Sequence, residues 1–251
     1  MFFDLLVRDL RSRFIGSYTG WLWLLINPLL LLGAYALVFG VIFQARVPAG
    51  LDVAFVVWLA IGLWPWLAFS ESIVRASESM PQHSNLISKV ALPRELLTLS
   101  VATSAFLLQL LGYFVVLLSV SLMGAPIHLS GLPHALVILL VLYILACGFG
   151  MIAAALRVFF RDLEQLLPTL LMFGFFLTPI LYSPQMLPEN LQKWIMLNPI
   201  AGLLVDSRVA LLEGKVWPSW TTAVMLLAAI VIFVFAKMLF NRLSPYFEDF
   251  L

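Results

Sequence analysis

Charged residues are scarce in this 251-residue chain, where Asp, Glu, Lys and Arg together make up only 11% of the sequence. Hydrophobic residues make up 63%, and the mean hydropathy is +1.06. A single soluble core cannot enclose that much apolar surface, so the shortage of charge excludes a soluble domain and indicates an integral membrane protein. The net charge of +1 gives no reason to expect a nucleic-acid partner.

Several kinds of site are also missing from the sequence. The single Cys147 excludes a disulfide within the chain. Gly214 and Lys215 lack the upstream glycine and the following hydroxyl of a phosphate-binding loop, so the chain is not expected to hydrolyse a nucleotide itself. The three histidines have no Cys or carboxylate at ligand spacing: His83, His128 and His134. We therefore expect no metal and no cofactor bound by this chain.

Long apolar runs are what the sequence has in their place. Six runs are each long enough to cross a hydrocarbon core of about 30 Å, which takes about 20 residues as a helix. They cover residues 21–43, 53–74, 96–123, 133–156, 166–182 and 220–240. In the fourth run, Ala146, Gly150 and Ala154 have the small-residue spacing that lets two helices approach closely. The pattern predicts an all-α protein with six transmembrane helices.

The chain begins with an amphipathic pattern. Over residues 2–14 one helical side carries only apolar side chains: Phe3, Leu6, Val7, Leu10 and Phe14. The other side carries Asp4, Arg8 and Arg11, which is typical of a helix that lies in the membrane interface. A signal peptide is the competing interpretation, but the following apolar run is long and no small-residue cleavage site ends it. We therefore assign residues 1–16 to an interface helix.

Residues 75–95 interrupt the apolar chain with a polar stretch between the second and third spans. Ser84 is a suitable cap for a short helix whose apolar residues Leu86, Ile87 and Val90 share one side. Pro93 ends that helix and suits the first turn of the next one. The stretch is therefore predicted to be folded, with a surface that a partner outside the membrane binds.

Glu71 and Arg75 are four residues apart at the end of the second span and are spaced to pair along one helical side. Ionisable residues near a span are functional candidates by default. A span end on the cytoplasmic side explains them equally without any role, and this is the interpretation we favour.

A second polar interruption covers residues 183–219, between the fifth and sixth spans. It is too polar to span a membrane and too apolar to be a free loop. Two segments, LQKWIML and IAGLLVDSRVALL, have helical apolar spacing and are separated by Asn198 and Pro199. The pattern predicts two short helices that dip into the membrane surface.

The placement of the cations predicts the orientation. With six spans, ten of the fourteen Lys and Arg residues lie on the side of both termini and of residues 75–95. The remaining four lie on the opposite side: Arg46, Lys193, Arg208 and Lys215. Because cytoplasmic loops carry the excess of cations, both termini and residues 75–95 are predicted to be cytoplasmic.

Aromatic residues of the second span form a pattern of their own. Phe55, Trp58, Trp66 and Phe69 fall on one helical stripe, and Trp64 and Trp66 lie near mid-membrane, where an interfacial belt does not explain them. One interpretation is bulk that packs against other helices or faces lipid. The other is a smooth aromatic lining over which a polar chain slides through weak, repeated contacts.

Three segments resemble the membrane-spanning subunits of ABC-2 type exporters, in family order along nearly the whole chain. They are RDLRSRFIGSYTGWLWLLINPLLLL, then NLISKVALPRELL, and finally FFRDLEQLLPTLLMFGFFLTPILYSPQMLP followed by LNPI. Within the family the sequence is most similar to O-antigen export permeases, and next to capsule and teichoic acid permeases. The resemblance implies that residues 1–251 form one ABC-2 type transmembrane domain.

The resemblance also implies the partners. It implies a homodimer that works with two copies of a separate ATPase, which bind the ATP and Mg²⁺. It places a coupling helix that docks into the ATPase within residues 85–97, and the candidate coupling residues are Asn85, Leu86, Ile87, Ser88, Lys89, Val90, Pro93, Arg94 and Glu95. The N-terminal helix is implied to help admit a lipid-linked substrate.

The implied channel lies at the dimer axis and is lined by the first, second and fifth spans, with the two short outer helices following the fifth. The candidate channel residues are Phe55, Trp58, Trp64, Trp66, Phe69, Tyr35 and Phe173. Independently of the resemblance, six helices pack too solidly to enclose a hydrated polymer, whereas two copies can form a pore along their symmetry axis.

The expected function is export of a polysaccharide on a polyprenyl diphosphate carrier across the bacterial inner membrane. Arg8, Arg11 and Arg13 are candidates for attracting the anionic diphosphate, although ordinary orientation charge explains them equally. A drug or lipid exporter of the same superfamily is the rival, but it would be expected to carry a large outer domain or a fused ATPase. A membrane scaffold is a further alternative, which would need no paired ATPase.

Overall fold

The computed structural model of the protein describes residues 1–12, 20–45, 47, 53–84 and 93–250, and all regular secondary structure in these residues is helical. The described residues contain nine α-helices: α1 Phe2–Ser12, α2 Gly20–Tyr35, α3 Phe55–Gln82, α4 Arg94–Leu122, α5 Leu132–Phe159, α6 Leu163–Leu177, α7 Glu189–Met196, α8 Pro199–Glu213 and α9 Trp220–Leu243. A π-helical stretch, Ala36–Ile42, continues α2, and short 3₁₀ segments cover Leu129–Gly131, Pro184–Met186 and Ser244–Asp249. The prediction of an all-α protein is confirmed for the described residues.

Five of the described helices are long and apolar enough to cross a membrane. They cover Leu22–Ile42, Phe55–Gln82, Arg94–Leu122, Leu129–Phe159 and Trp220–Phe247. These match the first, second, third, fourth and sixth predicted spans. The pair α7 and α8, bent by 97° at its break, would add a sixth only if counted as one span.

The fifth predicted span differs from the structure. The helix there, α6, has 15 residues and a length of about 22 Å at about 1.5 Å per residue, against a hydrocarbon core of about 30 Å. It ends at Leu177 because Thr178 is extended (φ −102°, ψ 136°), a conformation that the following Pro179 favours. The predicted helix boundary at residue 182 is therefore wrong.

The helix α3 lies at the centre of the bundle and packs against α4, α5 and α8. It is apolar on nearly all sides, which is the pattern of a helix surrounded by other helices, and Leu59, Ala60 and Ile61 are fully buried. The peripheral helices α2 and α9 leave large apolar side chains exposed, such as Leu30 at 61%. Such surface suits contact with lipid and would be unfavourable in water.

Small residues bring α5 close to α3, as the spacing of Ala146, Gly150 and Ala154 predicts. A Cβ added at Gly150 would lie 2.7 Å from the Cβ of Ala76, well inside ordinary contact distance. Ala146 and Ala154 are fully buried on the same helix. The predicted packing role of these residues is confirmed.

Candidate coupling region and translocation path

The two ends of the helical bundle carry different segments of the chain. The coupling end carries the last turns of α3, the first turns of α4 and the segment Ser244–Asp249. The distal end carries residues 178–219. The candidate coupling residues Asn85, Leu86, Ile87, Ser88, Lys89 and Val90 lie outside the described residues, and their role stays a prediction.

The residues that follow this undescribed segment join the coupling end to α9. Pro93 is the N-cap residue of α4 and so lies one residue before the first turn for which the sequence suited it. A guanidinium nitrogen of Arg94 donates to the backbone carbonyl of Ser244, and Glu95 Oε1 lies 3.4 Å from Lys237 Nζ. The start of α4 is therefore attached to α9 and to the segment that follows it.

The residues that precede the undescribed segment are also held. The helix α3 runs to Gln82, about two turns beyond the predicted span end at residue 74. In these extra turns the hydroxyl of Ser79 lies 3.0 Å from that of Thr98 on α4, and both side chains are buried. Both flanks of residues 85–92 are thus attached to the helical bundle.

A cluster of charges joins α3, α5 and α6 at the coupling end. Arg157, at the end of α5, lies 3.8 Å from Glu78 on α3 and 3.0 Å from Glu164 on α6, and it donates to the hydroxyl of Ser77 at 3.2 Å. We call Arg157, Glu78, Glu164 and Ser77 the Arg157 cluster. One guanidinium on α5 therefore joins α3 and α6 at this end.

The predicted pair of Glu71 and Arg75 is confirmed, with 3.1 Å between Arg75 Nε and Glu71 Oε1. Arg75 also lies 3.7 Å from Glu78, so this pair is continuous with the Arg157 cluster. Sequence reasoning missed the cluster, although charges at positions 71, 75 and 78 mark one side of the helix that carries it.

The first helix, α1, packs lengthwise against α4. Leu5 and Leu6 are buried, and the hydroxyl of Ser104 on α4 donates to the carboxylate of Asp9. The N-terminal ammonium lies 2.6 Å from Asp4, and its hydrogen bond and charge hold the pKa of that carboxyl below its ordinary value. The contacts to α4 leave the predicted apolar side free at Phe3, which is 75% exposed.

Two of the three candidate diphosphate-binding cations lie on the part of α1 that the structure describes. Arg8 and Arg11 are both exposed there, and Arg13 lies outside the described residues. The assignment of these cations to a lipid diphosphate stays a prediction.

The aromatic stripe lies inside the protomer. Phe55, Trp58, Trp66 and Phe69 are at most 7% exposed, because the stripe packs against neighbouring helices. One of these neighbours is α6, whose Phe175 ring centroid lies 6.3 Å from that of Trp66. In this conformation the stripe is part of the core, and a lining role requires that its covering helices move.

The other candidate channel residues lie in different surroundings. Trp64 is buried on the side of α3 opposite the aromatic stripe. There it packs on Gly112 of α4, where an added Cβ would lie 3.3 Å from Trp64 Nε1. Tyr35 is partly exposed and stacks on Phe39 with 5.8 Å between ring centroids. Phe173 on α6 is 59% exposed. Only Tyr35 and Phe173 of the candidate set therefore present substantial surface in this protomer.

An apolar cavity of about 400 Å³ lies beside the stripe, between α3, α5 and α6. Trp66 and Phe69 border it, together with Leu167 and Leu171 of α6. The cavity borders only part of α6, because at Gly174 the helix lies directly on Trp66, and a Cβ added there would lie 2.9 Å from the indole ring.

Arg208 of α8 forms the main contact of the distal end, and sequence reasoning missed it. It is 6% exposed and donates to three backbone carbonyls: Trp58 at 3.2 Å, Pro179 at 2.7 Å and Ile180 at 3.0 Å. Its guanidinium carbon lies 3.4 Å from the centroid of the Trp58 ring, a cation–π contact. We call Arg208, Trp58, Gly62, Pro179 and Ile180 the Arg208 clasp.

A second polar group fixes the other side of α8. Asp206 accepts hydrogen bonds from Ser219, which caps α9, and from Thr222 at 2.9 Å. His134 Nε2 of α5 lies 3.3 Å from the Thr222 hydroxyl. A carboxylate at a helix N-terminus is favourable, so this contact attaches α8 to α5 and α9.

The described part of the chain contains no group of three or more His, Cys, Asp or Glu residues that could hold a metal ion. The arrangement offers polar contacts at both ends of the bundle and aromatic and apolar surface between them. It defines a multi-pass integral membrane protein.

The sequence profile of the ABC-2 type transporter family matches residues 2–212. The chain therefore belongs to the ABC-2 type transporter family, as its motifs predict. It is similar to the O-antigen export system permease protein RfbA of Klebsiella pneumoniae, with 29% identity over 99% of this chain and 95% of the relative. It is also similar to RfbA of Myxococcus xanthus, at 28% over 84% and 80% of the two chains. The polysialic acid transport protein KpsM of Escherichia coli is 26% identical over 84% and 81%.

Proposed function

We propose that this chain is the membrane-spanning subunit of an ATP-driven exporter that moves O antigen, linked to polyprenyl diphosphate, across the bacterial inner membrane. The observation that carries the proposal is the similarity to the Klebsiella pneumoniae permease over 99% of one chain and 95% of the other. The spans and polar segments of the two proteins are therefore expected to serve the same kind of transport.

ATP hydrolysis belongs to a partner in this proposal. The chain lacks a phosphate-binding loop, so two copies of an ABC ATPase bind the ATP and Mg²⁺. A coupling helix within residues 85–97 docks into that ATPase. The contacts of Glu95 with Lys237 and of Arg157 with Glu164 then carry the movement into α9 and α6.

The coupling end faces the cytoplasm in this proposal, together with both termini, since ten of the fourteen Lys and Arg residues lie on that side. The helix α1 then lies in the cytoplasmic interface with Phe3 in the lipid and with Arg8 and Arg11 near the headgroups. The helices α7 and α8 dip into the inner membrane from its outer surface without crossing it, which their bend of 97° supports.

Two copies of the chain form the path. Apolar faces of α2 and α6 are exposed on the protomer, and a second copy would cover part of them. Phe173 lies on this surface, and Tyr35 is partly exposed on α2. In this arrangement α6 must shift to bring the edge of the aromatic stripe into contact with the polymer.

A capsular polysaccharide is the second candidate substrate, because the polysialic acid transport protein is also similar over most of its length. The two candidates differ in the final acceptor of the polymer. An O antigen is found on the lipid A core, whereas a capsular polymer is found without that core.

The test is depletion of the chain in the organism that makes it, with analysis of glycans by location. We expect surface polysaccharide to disappear and polyprenyl-diphosphate-linked polymer to accumulate inside the inner membrane. Loss of core-linked polymer would identify O antigen as the substrate, and loss of core-free polymer would identify a capsular polysaccharide. Normal surface polysaccharide of both kinds after depletion would contradict the proposal.

A further inference from the structure

The charge of Arg208 is buried in apolar surroundings, where a guanidinium is unfavourable unless its donors are bonded. Its three hydrogen-bond acceptors are backbone carbonyls, and they come from two elements: α3 and the segment that follows α6. Carbonyls of Pro179 and Ile180 lie past the end of α6, so no helical N–H takes them. The guanidinium fork is therefore matched to the shape of this one segment.

The sequence of α3 makes room for this contact at Gly62. A Cβ added there would lie 2.4 Å from one terminal nitrogen of Arg208 and 3.1 Å from Cζ. Gly62 is one helical turn after Trp58, so it lies beside the carbonyl that Arg208 reaches. A residue without a side chain at position 62 allows the guanidinium to approach α3.

The segment beyond α6 depends on the clasp. Every residue of α6 is partly or fully exposed, whereas Thr178, Pro179 and Ile180 immediately after it are buried. Asn198, which caps α8, donates to the hydroxyl of Thr178 at 2.9 Å. The helix α6 is thus held by polar contacts just beyond its distal end and borders the apolar cavity along its length.

We propose that Arg208 is a positioning residue that holds the distal end of α6 against α3 and α8, and so keeps the outer end of the path closed while the exporter is at rest. The inference rests on the proposed function, in which α6 from two copies lines the path. Loss of the clasp releases the carbonyls of Pro179 and Ile180, while Thr178 stays bonded to Asn198 and α8 stays anchored through Asp206. The outer end of the path then opens without ATP.

The test uses the full chain with its ATPase in sealed vesicles that contain a small polar dye. Arg208→Met is expected to raise dye loss without ATP by at least about tenfold, since loss of one hydrogen bond from a charged donor shifts an equilibrium by roughly that factor. Arg208→Lys is expected to leak less than Arg208→Met, because its ammonium keeps a charged donor, and more than wild type, because an ammonium cannot reproduce the planar fork. Lys215→Met, at an exposed cation of the same end, is the control.

Gly62→Ala tests the same contact without removing the arginine. Its methyl group displaces the guanidinium and is expected to reproduce the leak. If Arg208→Met does not accumulate in the membrane, the Gly62→Ala result decides.

Arg208→Met and Gly62→Ala complexes that assemble with the ATPase and remain as tight as wild type would overturn the inference. Failure of the proposed function is seen separately, as wild-type vesicles in which lipid-linked glycan does not stimulate ATP hydrolysis. A merely structural role of Arg208 would lower protein amount or thermal stability but would not open a leak in the assembled complex.

Discussion

At the distal end of the bundle a single guanidinium donates to neutral backbone carbonyls, whereas at the coupling end the helices are joined by ion pairs between side chains. Arg208 is 6% exposed, and its acceptors are held by the backbone of α3 and of residues 179–180. In the Arg157 cluster, Glu164 is 68% exposed and Glu78 is 24% exposed. The first contact needs one geometry, while the second tolerates several.

These two kinds of contact suit different roles at the two ends. Partly exposed ion pairs are weak, are screened by salt and can exchange partners, which suits an end that moves with a partner in each cycle. A buried guanidinium bonded to carbonyls has few alternative partners, which suits an end that holds one state. The predictions that follow test this division.

The largest effect is expected from placing charge on the predicted coupling helix. Leu86→Asp with Ile87→Asp should abolish ATP-driven export, because two carboxylates cannot be buried in an apolar groove of the partner without a large desolvation cost. ATPase activity, co-purification of the ATPase and export are measured together. The expected result is either released ATPase or hydrolysis without export.

Asn241→Asp is the control for that variant, since it adds one acidic charge at an exposed position near the end of α9. It should leave export unchanged. A double Asp variant that exports normally would remove residues 85–97 from the coupling role.

The next largest effect concerns the aromatic residues between the two ends. Trp66→Ala with Trp58→Ala should impair export while the ATPase complex remains assembled. Both residues are buried, and truncating a buried Trp costs about 3 to 5 kcal/mol, so thermal stability should fall as well.

Phe173→Ala separates lining from packing, because this side chain is 59% exposed. It should reduce export of long polymers with little change in thermal stability. Normal lengths of surface polymer in both the Phe173 variant and the Trp pair would contradict the aromatic lining.

A smaller effect is expected from Arg157→Met, which removes the cation shared by α3, α5 and α6. A double-mutant cycle with Glu164→Gln should give a coupling of about 0.5 to 1 kcal/mol at low salt, and the coupling should shrink at high salt. Arg157→Lys is the matched control. The Arg208 contact should show no comparable salt dependence. Equal salt dependence at both ends would contradict the proposed difference between them.

The smallest effect is expected from neutralising α1. Changing Arg8, Arg11 and Arg13 to Gln should lower export by a few-fold at unchanged protein amount if these cations attract the diphosphate. Lys193→Gln with Lys215→Gln at the distal end should have no effect. Wild-type export by the triple variant would leave the three arginines with orientation as their only role.

Much of the architecture follows from local patterns in the sequence. The first four predicted spans and the sixth are continuous apolar runs. The helices α1 and α8 show apolar residues at helical spacing, so each of these elements can be recognised without its neighbours. The pairing of Glu71 with Arg75 also depends only on positions four apart along one helix. These features need no knowledge of which helices meet.

Features that depend on tertiary contacts could not be predicted from the sequence. Arg208 bonds to backbone carbonyls, which every residue carries, so no sequence pattern marks its partners. An arginine within the apolar segment IAGLLVDSRVALL was the available signal. The burial of Trp66 likewise depends on how α6 lies across α3, and periodicity within α3 cannot predict that.

The most direct test of the account is ATP hydrolysis by the purified chain and its ATPase in vesicles that contain a lipid-linked glycan. The account predicts that polyprenyl-diphosphate-linked polysaccharide stimulates hydrolysis above polyprenyl phosphate alone, that the polymer crosses the vesicle membrane, and that Leu86→Asp with Ile87→Asp removes the link between the two. Hydrolysis that is indifferent to the glycan, with the polymer left on its original side, would contradict it.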